Sequence, residues 1–310
     1  MANVSGQATT YNLDNFVGEL FFLTAADTPF KTLVASVGGI RRVTSKEFTW
    51  QTTDNPSPAQ PSTVEGADPT YEERDRSEVS NVVQIFEYGV EVNYSKLAAI
   101  GQVAASAAPI LGMQPVTNEQ EFQEALKLDR AAEDMEVSYL TGTFQNPSDN
   151  MTGRKTRGVS TAMTTNTVAA GTVDLNKDLI DNILRTMHSN RAKFIRPTIF
   201  AVAIQIQRLN DIYEFVPESR TVGGANIQTI VTPFGMLDVV LDRHVTNTEL
   251  LVVDLAFCKA VVMPIPGKGE LFLEPRAMTG AALKSMLYGE WGLQYGPERY
   301  HGKITGLTSS

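Results

Sequence analysis

The chain is poor in the residues that most chemistry needs. Of its 310 residues one is cysteine, Cys258, and three are histidine, His188, His244 and His301. A single cysteine forms no intrachain disulfide, and its apolar neighbours predict a buried, inert thiol. With no H-x-x-x-H pair and no cysteine cluster, zinc has no ligand set. No Walker sequence is present: Gly267-Lys268-Gly269 lacks the upstream glycine and the following Ser or Thr. Gly223-Gly224 does not complete G-x-G-x-x-G, and no G-x-S-x-G elbow frames a nucleophilic serine. Neither a cofactor nor a metal is expected. The first thirty residues hold no Lys or Arg, so they lack the positive start of a secretory signal. The longest apolar run, Leu250 to Ile265, is broken by Asp254 and Lys259, so no membrane span is expected. Basic residues are outnumbered 26 to 35, and a net charge of −9 argues against a dedicated nucleic-acid binder.

The candidates for catalysis are correspondingly thin. Asp242 and His244 lie two apart beside a strand and could share a face, the one arrangement that suggests a hydrolase. Asp238 with Asp242, or Glu72 with Glu73, could be offered as acid–base carboxylates, although adjacent acids are common on solvated surfaces. Two basic clusters, Arg154-Lys155-Arg157 and Arg191-Lys193-Arg196, could touch phosphate or another subunit.

What the chain does have is pattern. Pro115, then Thr117 with Gln120, reads as a capping box opening a helix from 117 to 141. Phe122, Ala125, Leu128, Ala132, Met135 and Tyr139 form its apolar stripe, and Gly142 is read as its left-handed stop. About 24 residues at 1.5 Å rise make a rod of roughly 36 Å. Before it, Thr28-Pro29 opens a short helix, and strands are expected over Arg42–Gln51 and Val79–Val92. The 27 residues from Thr52 to Glu78 carry Pro56, Pro58, Pro61 and Pro69 and little apolar content. A connection so long is functional or disordered, and an isolated hairpin is marginal in water. Its aromatics Phe48, Trp50, Phe86 and Tyr88 are therefore expected to be exposed to a partner, and residues 1–27 to borrow their order from one. Lys96–Leu111 reads as loosely helical and Thr143–Gly171 as a loop. After these come a helix capped by Asp174 (stripe Leu175, Leu179, Ile180, Ile183, Leu184, Met187), a strand at Thr198–Ala203, a helix at Ile204–Tyr213 and a loop at Val216–Ile230. Strands follow at Met236–Leu241, Leu250–Asp254, Lys259–Met263, Leu271–Leu273 and Ala282–Tyr295, the last as one edge of a half-buried sheet with Glu290 on the solvent side. The mixture is α+β.

Several local sequences resemble the tailed-bacteriophage major capsid proteins of the Hong Kong 97 fold. They are TPF at Thr28–Phe30, EALKLDRAAEDMEVSYLTG at Glu124–Gly142, PFGMLDVVLDRHV at Pro233–Val245 and YGEWGLQYGPERYHGKITGL at Tyr288–Leu307. The resemblance implies an N-terminal arm (1–39), an extended hairpin loop (40–95), a peripheral domain (96–173 and 265–310) with the spine helix 117–141, and an axial domain (174–264). It implies a structural, non-enzymatic subunit that forms hexamers and pentamers and closes into a head around packaged double-stranded DNA, which it touches by non-specific proximity. A separate scaffolding protein, a portal protein and a decoration protein would be its partners, with assembly in the host cytoplasm. Arg42, Lys46, Trp50, Glu72, Glu73, Arg74, Arg76, Phe86, Glu218 and Arg220 are then the candidates for inter-subunit contact. Arg154, Lys155 and Arg157 form a candidate DNA-facing or contact patch. Lys46 lies on the hairpin, but no local asparagine or glutamate marks it for crosslinking. The rival readings are an encapsulin-like nanocompartment shell, another virion component such as a tail protein, and a hydrolase using Asp242 and His244.

Overall fold

The computed structural model describes residues 27–55, 57–97, 118–149, 151–213, 216–222 and 225–309, with backbone alone for 216–222 and 225–227. The expected arm up to residue 26, most of the Lys96–Leu111 segment, Thr117 and Gly223-Gly224 lie outside the described residues. The chain divides into two compact units. The larger holds 27–87, 130–272 and 288–309, and the smaller holds 88–97, 118–129 and 273–287.

The larger unit is built on a seven-stranded sheet. In chain order its strands are β5 (Thr167–Val173), β6 (Pro197–Ala201), β7 (Val216–Val222), β8 (Ala225–Thr232), β9 (Gly235–Leu241), β10 (Leu250–Asp254) and β14 (Gly302–Leu307). Their spatial order is β5-β14-β10-β6-β9-β8-β7, with β6–β9 and β14–β5 parallel. Side chains alternate across a strand, so each strand feeds two faces. Phe200, Val240, Leu251 and Val253 enter one hydrophobic cluster, and Ile199, Val239, Leu250 and Val252 enter the other. With both faces covered, β6 and β10 are buried at every position, which is why they read as unbroken apolar runs.

One face is covered by helix α4 (Lys177–Ser189), whose Ile180, Ile183, Leu184 and Met187 are fully buried as their spacing predicts. A Cβ on Gly302 would come within 2.8 Å of Met187 Sδ, so the helix rides directly on β14. Asn176, rather than Asp174, caps α4: its side chain accepts the Leu179 N–H at 2.9 Å. Asp174 instead pairs with Arg208 at 2.8 Å, a residue of helix α5 (Ala203–Ile212). The other face receives Phe30, Leu33 and Val34 from helix α1 (Pro29–Leu33) and its π-helical continuation, together with Tyr139 and Leu140.

Tyr139 and Leu140 belong to helix α2 (Glu119–Thr141). Asn118 caps its start, accepting from the Gln120 N–H at 3.1 Å; the Thr117 of the expected capping box lies outside the described residues. The apolar stripe holds in the second half only. Ala131, Met135 and Tyr139 are buried there with Glu136, whereas Ala125 and Leu128 are exposed. Gly142 ends the helix without a left-handed turn. Its missing side chain matters for space, since a Cβ would sit 2.3 Å from Ser138 O and 2.7 Å from Thr156 O.

Other expectations needed correction. The run 143–171 is more than a loop, containing a short helix α3 (Val159–Ala162) and edge strand β5. The expected loop 216–230 is an antiparallel pair, β7 with β8. The strand β14 was not anticipated, because its Gly-Lys-Ile-Thr-Gly-Leu sequence has little apolar content of its own.

A second sheet joins β1 (Ile40–Arg42), β11 (Lys259–Val262), β13 (Ala282–Gln294) and β12 (Leu271–Pro275), with β4 (Gln84–Asn93) also on β13. The expected strand 42–51 is thus two: β1 pairs in parallel with β11, and β2 (Glu47–Thr52) pairs with β3 (Ser77–Val82). The expected strand 79–92 is likewise divided, into β3 and β4, at Val83. In the smaller unit, Tyr94 N–H donates to Ala281 O at 3.1 Å, Ser285 Oγ to Glu124 Oε1 at 2.6 Å, and Lys96 pairs with Glu119. Cys258 is fully buried, and burial pushes its thiol pKa up.

Candidate assembly surface

The hairpin β2–β3 carries the longest exposed segment of the described chain. Its register runs from Glu47 opposite Val82 to Thr52 opposite Ser77. Phe48 and Trp50 share the inward parity and are buried, contrary to the expectation that they face a partner. Trp50 packs edge-on against Tyr295 at 5.0 Å between ring centroids and stacks with Phe48 at 6.1 Å. Its indole N–H donates to Gly296 O at 3.1 Å. Phe86 is buried as well. The reason for the miss is tertiary: β13 and the turn after it return to this site and cover rings that a lone hairpin would expose.

Asn81 fixes the base of the hairpin and is wholly buried. Its Nδ2 donates to Arg157 O at 3.1 Å and Leu293 O at 2.7 Å. Its Oδ1 accepts from Val82 N–H at 2.9 Å and Arg157 N–H at 2.8 Å. The side-chain amide is therefore fully satisfied by backbone from three segments. The signal in sequence was a lone amide on the parity of Val79 and Val83.

Beyond Thr52 the character changes. Every described residue from 53 to 76 is exposed, including Val64 and Tyr71 at 81% and 88%. Gly66, at φ 84°, makes the tip turn, which the Ala67 N–H closes on Val64 O at 3.1 Å. Among the described residues, polar side-chain contacts gather at the root. Arg299 pairs with Asp54 at 2.6 Å, Arg191 donates to Asn55 O at 2.8 Å, and Arg74 donates to Asn55 Oδ1 at 2.7 Å. Arg76 reaches Gln51 at 3.3 Å. The hydrogen bond and charge of Arg299 hold the Asp54 pKa below its ordinary value. Such exposed pairs set direction more than they stabilise.

The remaining candidates are scattered. Arg42 pairs with Glu270 at 2.8 Å, and Lys46, Glu72 and Glu73 are exposed. Glu218 and Arg220 lie on β7, where Arg220 stands opposite Ile227. The 154–157 cluster is largely spent inside the fold. Arg154 pairs with Glu290, a largely buried residue expected on the solvent side, while Arg157 lies over the Phe144 ring at 4.5 Å and donates to Tyr295 at 3.3 Å. Lys155 is exposed.

The hydrolase reading fails on geometry. Asp242 accepts the backbone N–H of His244 at 2.9 Å, while the His244 ring Nε2 lies 3.1 Å from Asp27 O. The carboxylate therefore does not orient the imidazole, as a triad requires. Asp238 is taken up by Arg196 at 3.8 Å and Thr229 at 3.3 Å. Among the described residues no His, Cys, Asp and Glu cluster could hold a metal ion, and no helix is long and apolar enough to cross a membrane.

The SU10 major capsid protein family matches residues 3–308. The chain belongs to this family. Among curated proteins none matches this capsid protein. Among solved structures, the capsid of cyanophage A-1(L) is similar at TM-score 0.66 and 13% identity, over 99% of this chain and 100% of that one. The capsid of a native GTA particle gives 0.66 at 8% identity, covering 98% and 100%. The SrpI encapsulin from Synechococcus elongatus PCC 7942 gives 0.60 at 10%, covering 98% and 95%. At such identities the likeness speaks for the fold. The major capsid protein thus has the α+β Hong Kong 97 fold that its sequence resembles, and its family is structural.

Proposed function

We propose that this capsid subunit closes into a phage head by forming hexamers and pentamers, with the hairpin loop of residues 40–95 laid over a neighbouring subunit. The observation that carries this reading is the run from 53 to 76, exposed throughout its described length and, among the described residues, tethered at its root. Ordering a residue costs about 1–2 kcal/mol, and contacts with a neighbour would supply what this chain does not. Residues 1–39 act as the arm, 96–173 and 265–310 as the peripheral domain around the spine helix, and 174–264 as the axial domain with the β7–β8 hairpin, bearing Glu218 and Arg220, at its tip. Strands β5 and β14 complete the sheet to which the axial segment contributes. Many weak contacts per subunit act together in a closed shell.

Packaged double-stranded DNA is held by enclosure with its counterions, which an acidic subunit tolerates. Lys155 is the exposed cation of the former basic patch and the one offered for contact. A separate scaffolding protein, a portal protein and a decoration protein are the partners proposed with family membership, and the host cytoplasm is the proposed place of assembly. Electron microscopy of the purified protein, alone and with its scaffold, tests the reading. Closed shells or ring-shaped capsomers support it, and a uniform monomer under both conditions refutes it. The encapsulin likeness supplies the second reading, a shell around cargo. Co-purification of a cargo enzyme in place of DNA or scaffold would favour it.

A further inference from the structure

Two carboxyl groups meet in the core of the larger unit with no role in the packing described so far. Glu136, on α2, and Asp242, just past β9, are both fully buried. Glu136 accepts the backbone N–H of Phe30 on one oxygen and of Lys31 on the other, each at 2.6 Å, and so holds the first turn of α1. Asp242 Oδ1 accepts the His244 N–H, but among the described residues no N–H or O–H donor reaches its Oδ2. The Glu136 carboxyl lies within side-chain hydrogen-bonding reach of Asp242. Two acceptor-only carboxylates cannot face each other in a dry site, whereas one proton between them satisfies both.

We propose that Glu136 and Asp242 form a proton-held latch: a single shared proton ties α1 to α2 and to the end of β9, and its loss frees the segment 27–33. The proton lies between the two carboxyls, while the Glu136 oxygens keep their two backbone N–H bonds. Taking the proton to solvent leaves two buried negative charges, and the weakest-held element, the short α1, gives way.

The other charged and titratable groups here are few. Lys31 lies beside Glu136 on α1, and burial pulls its pKa down. The buried Tyr139 hydroxyl lies one turn along α2, its pKa raised by burial and by Glu136. On the turn after β9, Arg243 pairs with Asp27 at 3.4 Å, and His244 reaches Asp27 O. Burial pushes both carboxyls upward, and the charge of Asp242 adds to the rise at Glu136, which reaches about 9. The folded state thus binds the extra proton. Its stabilisation is full below the ordinary carboxylate range and is lost as pH rises towards about 9.

Hydrogen exchange of the full-length subunit between pH 7 and 10 tests this, with rates corrected for intrinsic exchange. The protection of the Phe30 and Lys31 amides should fall by about tenfold per pH unit up to about pH 9, because opening releases the proton, and level off above that, while the core Val252 amide keeps its own. Asp242→Asn supplies a permanent donor to Glu136 and should hold α1 shut across the range. If that variant does not fold, Glu136→Gln, which also removes one charge, should flatten the dependence instead. Lys31→Met should retain the dependence. Constant Phe30 and Lys31 protection in the wild type would overturn the proposal. So would parallel loss at Val252, a folded Asp242→Asn that follows the wild type, or a dependence abolished by Lys31→Met.

Discussion

Replacing Asn81 by alanine tests how the hairpin is anchored. The change removes four hydrogen bonds made inside the protein, two donated to Arg157 O and Leu293 O and two accepted from Val82 and Arg157 N–H. At about 1 kcal/mol net per bond the loss is near 4 kcal/mol. A dry site raises that figure, because each orphaned buried donor costs 1–3 kcal/mol, roughly, and water admitted to the cavity lowers it. Domains commonly have only about 5–15 kcal/mol of stability, so the effect is large. Urea unfolding of the purified subunit should show a lower midpoint at unchanged slope. Proteolysis should reach the 47–82 hairpin before the rest of the chain. Asn81→Asp keeps the shape but turns an oxygen towards two carbonyls, so it should be at least as damaging at neutral pH and recover partly in acid as it becomes protonated. A loss under about 1 kcal/mol for the alanine variant would refute the idea that this amide holds the hairpin.

Deleting Asn55–Arg74 removes exposed chain, so the subunit should unfold within about 0.5 kcal/mol of its parent yet form no stable shells by electron microscopy; normal shells would end the proposed role of the loop. His301 is fully buried, with Nε2 2.5 Å from Tyr295 O and Nδ1 accepting the Asp254 N–H at 3.1 Å. Burial lowers its pKa, so the unfolded chain takes up the proton first and stability should fall as pH drops below about 6.5. His301→Gln should remove that acid dependence, and equal slopes for both proteins would contradict it. Asn176→Ala should cost about 1 kcal/mol in a denaturant titration by uncapping α4, whereas Asp174→Ala should leave that cap intact.

Local pattern made much of this protein legible. The stripe of α4 was read correctly because each of its residues repeats on one face of a helix, a property of neighbours in sequence. The strands expected at 198–203 and 250–254 are present as β6 (197–201) and β10, and their burial on both faces is a finding of the structure. The long polar stretch between β2 and β3 declared itself through its prolines and the lack of anything apolar to bury. Four short sequences carried the likeness to capsid proteins, which the family match bears out.

The pairing of polar groups across the chain was not legible. Nothing in the sequence singled out Glu136, yet the fold sets it beside Asp242 and the start of α1, 106 residues from Phe30. Arg154 looked like part of a basic patch until β13 supplied Glu290, and Trp50 looked exposed until the turn after β13 supplied Tyr295 and Gly296. The sequence by itself determined helix α4, strand β10 and the exposed 53–76 run, because local spacing and composition control which side chains can share a buried face, whereas β5, β7, β8 and β14 depended on their sheet neighbours. Tertiary structure alone decided which polar and aromatic groups are buried, because that depends on partners brought from more than a hundred residues away.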